Sequence, residues 1–181
     1  EILARRAVPV VMVSSHTRLG ADITLDALER GAIDYVAKPN SSVETRQVFN
    51  EELPRKIRSA AGTDVARILE IRRARKQRRL EGRRRPAAPK HISEAGTSEL
   101  ADKCIALGVS TGGPPALRVL FESLRPPMPP IVVVQHMPAN FTKPLAWRLD
   151  ALSRLAIKEA EEGDRIMPNH VYIARGGMHL E

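Results

Sequence analysis

Short apolar runs alternate along most of this chain with stretches that have helical spacing. Four runs are rich in β-branched and aliphatic residues: VPVVMVSS (8–15), AIDYVAKP (32–39), CIALGVS (104–110) and PIVVVQH (130–136). All four are predicted strands. The first is typical of a parallel strand buried on both faces, and PIVVVQH is predicted to be a buried strand. Two further short strands are predicted at AIKEAE (156–161) and HVYIA (170–174). Strands that alternate with helices predict an α/β fold with mostly parallel sheets and right-handed crossovers.

Cap and breaker residues set the expected helix boundaries. Gly31 stands where a helix C-cap glycine would, and Ser41 and Glu44 have the spacing of a capping box at the start of the next helix. Pro54 is expected to interrupt or kink that helix, because proline has no N–H to donate. After the third strand, the proline pair at 114–115 fits the first turn of a helix, where proline is tolerated.

Charge and composition divide the chain into three zones. Residues 67–90 hold 11 Lys/Arg and two acidic residues, a net charge of +9, whereas the whole chain carries +8, so the remainder sums to −1. We predict part of one α/β domain at 1–62, a basic linker at 63–101 and part of a second α/β domain at 102–181. The basic segment is interpreted as a solvated linker. A contact with an acidic receptor or membrane surface is an alternative, as is nucleic-acid binding, which the lack of interleaved aromatic residues disfavours.

Composition also limits the class of protein. The apolar runs are far shorter than the ~20 residues that a membrane span needs, and the first residues lack a signal-peptide pattern. The single cysteine, Cys104, is expected in the core and fits a reducing cytoplasm. His170 and His179 lack a partner at ligand spacing, so we predict no metal site. Phe141 and Trp147 are expected in the core.

The stretch LGVSTGGPPA (107–116) carries the strongest chemical signal. Residues 108–112, GVSTG, fit G-x-S-x-G between a strand and a helix, which is the context of a nucleophile elbow. The N–H groups of Thr111, Gly112 and Gly113 could stabilise an oxyanion or hold a phosphate. Ser110 is therefore a candidate nucleophile. A helix N-cap and a phosphate ligand are the alternatives, although the stretch lacks the P-loop lysine.

His136 ends the next predicted strand and is a candidate base. Neighbouring strands lie about 5 Å apart, and the carboxyl ends of parallel strands meet at one sheet edge, so His136 could take the proton of Ser110. A purely structural strand-end histidine is the alternative. Met137 either lines the pocket or packs in the core. Asp164, in the turn EEGDR, is interpreted as a turn residue.

Together these segments resemble a known family. IALGVSTGGPPAL, VVVQHMPANFT and AIKEAEEGDRIMPNHVYIARGGMHL are similar to the start of the catalytic domain of the chemotaxis protein-glutamate methylesterases, the CheB family. VPVVMVSSHT and ALERGAIDYVAKP resemble the end of a response-regulator receiver domain, which that family also carries. The resemblance implies the C-terminal part of a flavodoxin-like receiver domain, a linker, and the N-terminal part of a doubly wound, mostly parallel methylesterase domain. The chain would then be an internal fragment of a longer protein.

The resemblance also assigns site residues. It implies that Ser110 is the nucleophile, that His136 is its base, and that the third residue, an aspartate, lies beyond Glu181. The oxyanion hole or pocket would comprise Thr111, Gly112, Gly113 and Met137.

In the receiver zone, the resemblance implies a phosphorylation switch. Ser14 matches the hydroxyl residue that senses the phosphoryl group, Lys38 the lysine that contacts it, and Tyr35 the aromatic residue whose rotamer follows activation. The Lys38–Pro39 peptide would be cis. The phosphoacceptor aspartate and the Mg²⁺ site would precede Glu1, and catalysis itself would need no cofactor.

The implied function is phosphorylation-regulated hydrolysis of glutamate γ-methyl esters, and deamidation of glutamines, on methyl-accepting chemotaxis receptors in the cytoplasm. A chemotaxis histidine kinase would be the phosphodonor, and no nucleic acid or transmembrane segment is expected. Because the third triad residue is missing from it, the 181-residue piece alone is expected to be inactive. A non-catalytic response regulator that acts as a binding module is the alternative from a different class.

Overall fold

A computed structural model describes residues 2–15, 18–81 and 98–181, and the chain divides into two compact units, Glu1–Pro86 and Ala87–Glu181. The first unit contains α1 (Ile2–Arg5), β1 (Val11–Ser14), α2 (Arg18–Arg30), β2 (Asp34–Ala37), α3 (Val43–Ala61) and α4 (Val65–Glu81). The second unit contains α5 (Ser98–Ala101), β3 (Ile105–Val109), α6 (Gly113–Ser123), β4 (Ile131–Gln135), α7 (Ala139–Asp150), β5 (Ala156–Glu159) and β6 (His170–Ile173). Both sheets are parallel, so the predicted α/β class is confirmed.

In the first unit, β1 and β2 form a two-stranded parallel sheet in which Val11 pairs with Asp34 and Ser14 with Ala37. Helix α2 connects the two strands and buries one apolar stripe: Ala21, Leu25 and Leu28. Gly31 follows this helix with φ 125°, a conformation that favours glycine, as expected at a helix end. Val13 is 42% exposed, so the expectation that β1 is buried on both faces is wrong.

Helix α3 begins one residue later than the capping-box pattern predicts. Its N-cap is Ser42, whose side-chain oxygen accepts a 3.3 Å hydrogen bond from the Thr45 N–H. The predicted box of Ser41 and Glu44 is therefore wrong. The helix also continues through Pro54 to Ala61, because residues beyond the proline, Lys56 and Ala60, are buried and anchor its second half.

The first turn of α4 packs into the first unit. Val65 is buried in a cluster with Ile33 and Ala60, so a chain segment that composition assigned to the linker begins as a packed helix. The boundaries at 1–62, 63–101 and 102–181 stay a prediction. The later part of the basic segment falls in residues 82–97, outside the described ranges.

The second unit is built on a four-stranded parallel sheet in the order β3-β4-β6-β5. Along β4, Ile131, Val133 and Gln135 are buried, whereas Val134 is 52% exposed. The strand thus buries one face and exposes the other, and the sequence prediction of a fully buried strand is wrong at Val134. Within residues 2–15, 18–81 and 98–181, every helix is too short or too polar to cross a lipid bilayer.

Candidate active site

The strand register places Ser110 and His136 side by side at the carboxyl edge of the sheet. Val109, the last residue of β3, pairs with Gln135, the last residue of β4. The N–H of His136 then donates a 3.1 Å hydrogen bond to the carbonyl oxygen of Val109. Each candidate residue is therefore the first one beyond its strand, and both are exposed. This arrangement satisfies the geometric condition on which the sequence prediction depended, namely adjacent strands.

The loop after β3 shows that Ser110 does not cap helix α6. The N-cap residue is Gly112, which has φ 75°, a left-handed conformation, and no side chain to make a capping bond. The carbonyl oxygen of Ser110 instead accepts a 2.8 Å hydrogen bond from the Gly113 N–H. The Ser110 side chain is thus exposed to solvent and does not cap α6, so the N-cap interpretation is wrong.

The same turn changes the list of oxyanion donors. Because the N–H of Gly113 already bonds to Ser110, the candidate donors nearest the serine are the N–H groups of Thr111 and Gly112. Thr111 is half-buried, and its hydroxyl oxygen is buried with no hydrogen-bond partner among the described residues. Gly113 is buried and has a packing role against Gln135, described below.

Met137 follows His136 and is 5% exposed, so its side chain packs in the interior. The loop that carries it is closely covered by the turn after β6. A Cβ atom built at Gly176 would lie 2.2 Å from the carbonyl oxygen of Met137 and 2.6 Å from the N atom of Ala139. Glycine at 176 therefore allows the backbone of one loop to approach the other. A pocket role for Met137 stays a prediction.

A hydroxyl on α7 ties the same turn to β5. Buried Thr142 donates a hydrogen bond to the Glu159 carboxylate and accepts a 3.3 Å bond from the N–H of Gly176. Glu159 is the last residue of β5. Thr142 thereby links the carboxyl end of β5 to the turn after β6.

Gln135 is the site residue that sequence reasoning missed. Its side-chain Nε2 donates to the carbonyl oxygens of both Ser110, at 3.1 Å, and His136, at 3.3 Å. Its position in the sequence could have identified it. Gln135 falls on the same face of β4 as Ile131 and Val133, where an apolar residue would be expected.

Two aspartates have structural roles. Asp150 accepts a 2.8 Å hydrogen bond from the N–H of Ile157, at the start of β5. Asp164 forms a 2.7 Å ion pair with Lys158 and accepts from the N–H of Glu161. The bond to Lys158 lowers the pKa of Asp164 and raises that of Lys158. Asp164 is therefore a turn residue that holds the β5–β6 connection.

Other chemically active side chains lie away from Ser110. Cys104 is exposed, so the expectation of a core thiol is wrong; it precedes β3 rather than sitting in it. Phe141 is fully buried as predicted, but Trp147 is 56% exposed, with the Lys143 ammonium 5.9 Å from its ring centroid. His170 opens β6 and stacks on Tyr172. Burial raises the pKa of the Tyr172 hydroxyl.

The first unit brings two of its three predicted switch residues together. Ser14 ends β1, and its carbonyl oxygen accepts a 2.6 Å hydrogen bond from the N–H of Lys38, just beyond β2. The Ser14 hydroxyl donates to the carbonyl oxygen of Gly20 at 3.1 Å. Among the described residues the cis peptide precedes Pro127, so the expected cis Lys38–Pro39 bond is wrong; the peptide takes the trans form that proline also favours.

Tyr35 lies inside β2 and is 3% exposed. The ammonium of Lys56 lies 5.0 Å from its ring centroid and donates a 2.7 Å hydrogen bond to its carbonyl oxygen. Lys56 also pairs with Asp34 at 3.5 Å. Burial, and secondarily the charges of Asp34 and Glu52, raise the pKa of the Tyr35 hydroxyl.

The described residues at the ends of β1 and β2 do not form a Mg²⁺ site. Mg²⁺ prefers carboxylate and water oxygens, whereas the ends of β1 and β2 supply Ser14 and Lys38, which suit contacts to phosphoryl oxygens. Across the described ranges, no group of three or more His, Cys, Asp or Glu side chains is arranged to hold a metal ion.

The chain is similar to known proteins. Residues 105–181 match the family model described as CheB methylesterase. This part of the chain is similar to the CheB methylesterase family. The protein-glutamate methylesterase/protein-glutamine glutaminase of Pectobacterium atrosepticum is 41% identical over 182 residues, which cover 100% of this chain and 48% of that protein. The Escherichia coli K12 protein of the same description is 38% identical with the same coverage.

The chain spans about half the length of the curated relatives it matches. The crystal structure of the Thermotoga maritima CheB methylesterase catalytic domain is 52% identical, with a TM-score of 0.41, and the match covers 42% of this chain and 41% of that one.

Proposed function

We propose that the full-length protein is a serine hydrolase that acts as a protein-glutamate methylesterase and protein-glutamine glutaminase. The observation that carries this proposal is the placement of Ser110 and His136 at the ends of paired strands, with the Ser110 side chain exposed. The names of the relatives, which describe the same two activities, support it.

The chemistry follows from the roles of these groups. Ser110 Oγ attacks the γ-carbonyl carbon of a glutamate methyl ester while His136 accepts its proton. The N–H groups of Thr111 and Gly112 stabilise the negative charge on the carbonyl oxygen. Collapse of the tetrahedral intermediate expels methanol, which takes the proton from His136, and leaves an acyl-enzyme. Water activated by His136 then releases the glutamate and restores the serine; a glutamine substrate loses ammonia in place of methanol.

The imidazole needs an orienting partner to work at full rate. In the proposed enzyme this is an aspartate outside the present chain, because Asp150 and Asp164 hold strand β5 and its turn instead. Loss of the corresponding aspartate from a serine-protease triad costs about 10⁴-fold in turnover. The 181-residue chain alone is therefore expected to be essentially inactive.

The first unit is proposed to be the end of a response-regulator receiver domain that gates the esterase. Ser14 and Lys38 lie at adjacent strand ends and support a phosphoryl-sensing role. Phosphorylation by a chemotaxis histidine kinase would shift the population toward an active form. The proposed substrates are methyl-accepting chemotaxis receptors, and the proposed compartment is the cytoplasm.

A serine-reactive fluorophosphonate tests the catalytic half of this proposal. The full-length protein should be labelled, Ser110→Ala should abolish the label, and Ser123→Ala should not. Ser123 is a matched control because it is an exposed serine on α6 whose hydroxyl donates to the Leu120 carbonyl oxygen. A label that persists in Ser110→Ala favours the alternative, a non-catalytic response regulator that works as a binding module.

Release of methanol from methylated receptor membranes tests the substrate. The full-length protein should release it, and both Ser110→Ala and His136→Gln should reduce the rate at least about 10³-fold. A phosphodonor should raise the parent rate, and Lys38→Met should remove that increase while the unstimulated rate persists. An unstimulated rate that already equals the stimulated rate would contradict the gating proposal alone.

A further inference from the structure

The side chain of Gln135 joins the backbones of the two proposed catalytic residues. Its amide Nε2 lies 3.1 Å from the carbonyl oxygen of Ser110 and 3.3 Å from that of His136. A glutamine amide nitrogen carries two hydrogens, so one group can donate to both carbonyls at once.

The orientation of the amide follows from the chemistry of its surroundings. The two nearby acceptors are carbonyl oxygens, and a flipped amide would place Oε1 against both of them, which is repulsive. The assigned orientation is therefore the one that the local hydrogen bonds require.

The Gln135 side chain is buried at a cost to stability. Gln135 is 5% exposed, and within the described part of the chain its Oε1 has no hydrogen-bond partner. A buried acceptor without a partner is destabilising compared with an apolar residue of the same shape. Stability alone would favour leucine or methionine at this position, in line with Ile131 and Val133 on the same face of β4.

Gly113 is matched to the amide. A Cβ atom built there would lie 1.9 Å from Gln135 Oε1 and 2.8 Å from its Cδ. The first residue of α6 thus leaves room for the amide, and the Gly113 N–H bonds to the same Ser110 carbonyl oxygen at 2.8 Å. Two donors from different elements therefore fix the Ser110 carbonyl.

We propose that Gln135 is a positioning residue for the esterase: its amide holds the backbone of the nucleophile and of the base at a fixed separation across β3 and β4. The inference rests on the proposed function and adds to it a residue that touches neither the substrate nor the reacting atoms. A misplacement of about 1 Å in a catalytic group can cost on the order of 10²-fold in rate, so the loss of this link should lower turnover.

The test is Gln135→Met in the full-length protein, because methionine has a similar volume and cannot donate a hydrogen bond. We expect kcat for methanol release to fall about ten-fold to a hundred-fold, with KM within about two-fold. The rate of fluorophosphonate labelling per labelled site should fall in parallel, while the fraction of protein labelled at completion stays near one. Gln47→Met is the matched control: this glutamine is exposed on α3 and bonds Glu51, so kcat should not change.

The readouts separate positioning from folding. If Gln135 only fills space, Gln135→Met lowers the labelled fraction or leaves everything unchanged, and kcat per labelled site stays within about two-fold of the parent; either result overturns the inference. Gln135→Glu provides a second variant, because a protonated carboxyl can donate to one carbonyl and an ionised one to neither. Its kcat relative to that of Gln135→Met should rise as the pH falls, and a pH-independent ratio would count against the inference. Ser110→Ala that still releases methanol would instead refute the proposed function itself.

Discussion

The N–H of His136 donates a 3.1 Å hydrogen bond to the carbonyl oxygen of Val109. This bond is one position beyond the Val109–Gln135 pair that ends the β3–β4 ladder. It joins the candidate base directly to the residue that precedes the candidate nucleophile. The approach of Ser110 and His136 is therefore a consequence of strand register, since a one-residue slip would turn every side chain of β4 to the other face.

The exposed hydroxyl of Ser110 predicts a separation of stability from activity. Ser110→Ala should change the free energy of unfolding by no more than about 0.5 kcal/mol, because Gly112 is the N-cap of α6. Ser42→Ala is the matched comparison and should cost about 1 kcal/mol, because Ser42 caps α3. Urea unfolding followed by circular dichroism measures both. A larger loss for Ser110→Ala than for Ser42→Ala would show that the serine supports the helix after all.

The contact between Gly176 and the Met137 loop predicts different outcomes at two adjacent glycines. Gly176→Ala should cost about 1–3 kcal/mol through overpacking and should also lower esterase activity, because the new methyl group meets backbone beside His136. Gly177→Ala meets open space but has φ 76°, so it should cost about 1–2 kcal/mol from backbone strain and keep its activity per folded molecule. Unfolding curves and methanol release on the full-length variants check this. Full activity in Gly176→Ala would contradict it.

The buried pair of Lys56 and Asp34 predicts strong coupling. Both side chains are 6% exposed and lie 3.5 Å apart, so Lys56→Met leaves a buried carboxylate without its cation and should cost about 3–5 kcal/mol. Adding Asp34→Asn should recover part of that loss, because the amide oxygen can still accept the Tyr35 N–H bond that Asp34 now accepts at 2.8 Å. A double-mutant cycle in urea measures the coupling energy. Simple additivity of the two single changes would rule the coupling out.

Buried Tyr35 predicts a loss of stability at alkaline pH. Its pKa is raised in the folded chain by burial, then by Asp34 and Glu52, so the unfolded chain releases the phenolic proton first, near pH 10. The contribution to stability is therefore fully present below about pH 10 and declines as the pH rises above it, by up to about 1.4 kcal/mol per pH unit. Unfolding measured from pH 9 to 11 should show this slope in the parent and a smaller one in Tyr35→Phe. Identical slopes would contradict the assignment.

Local sequence was sufficient for the elements and for the two candidate catalytic residues. Alternating apolar runs and helical spacing predicted the parallel α/β units. Ser110 and His136 could be identified as candidates because the sequence alone shows that each directly follows a predicted strand or ends one. Helix starts were less certain. Ser41 and Ser42 offer nearly the same capping pattern, and the choice depended on where α3 packs.

Burial was the quantity that local pattern predicted least well. Cys104, expected in the core, is exposed because it precedes β3. Trp147 is 56% exposed because α7 buries the side that carries Phe141, Leu145 and Leu149. A residue type gives the tendency to be buried, whereas the packing of neighbouring elements decides which members of that type are buried.

The sequence by itself determined that Ser110 follows one strand and His136 the next, since chain order and strand periodicity are properties of the chain alone. Only the tertiary structure decided that these two strands are neighbours in register, that Gly112 rather than Ser110 caps α6, and that Gln135 reaches both carbonyl oxygens. The physical reason is that hydrogen bonds between strands and contacts at a sheet edge join residues distant in sequence, here 25 positions apart for Gln135 and Ser110.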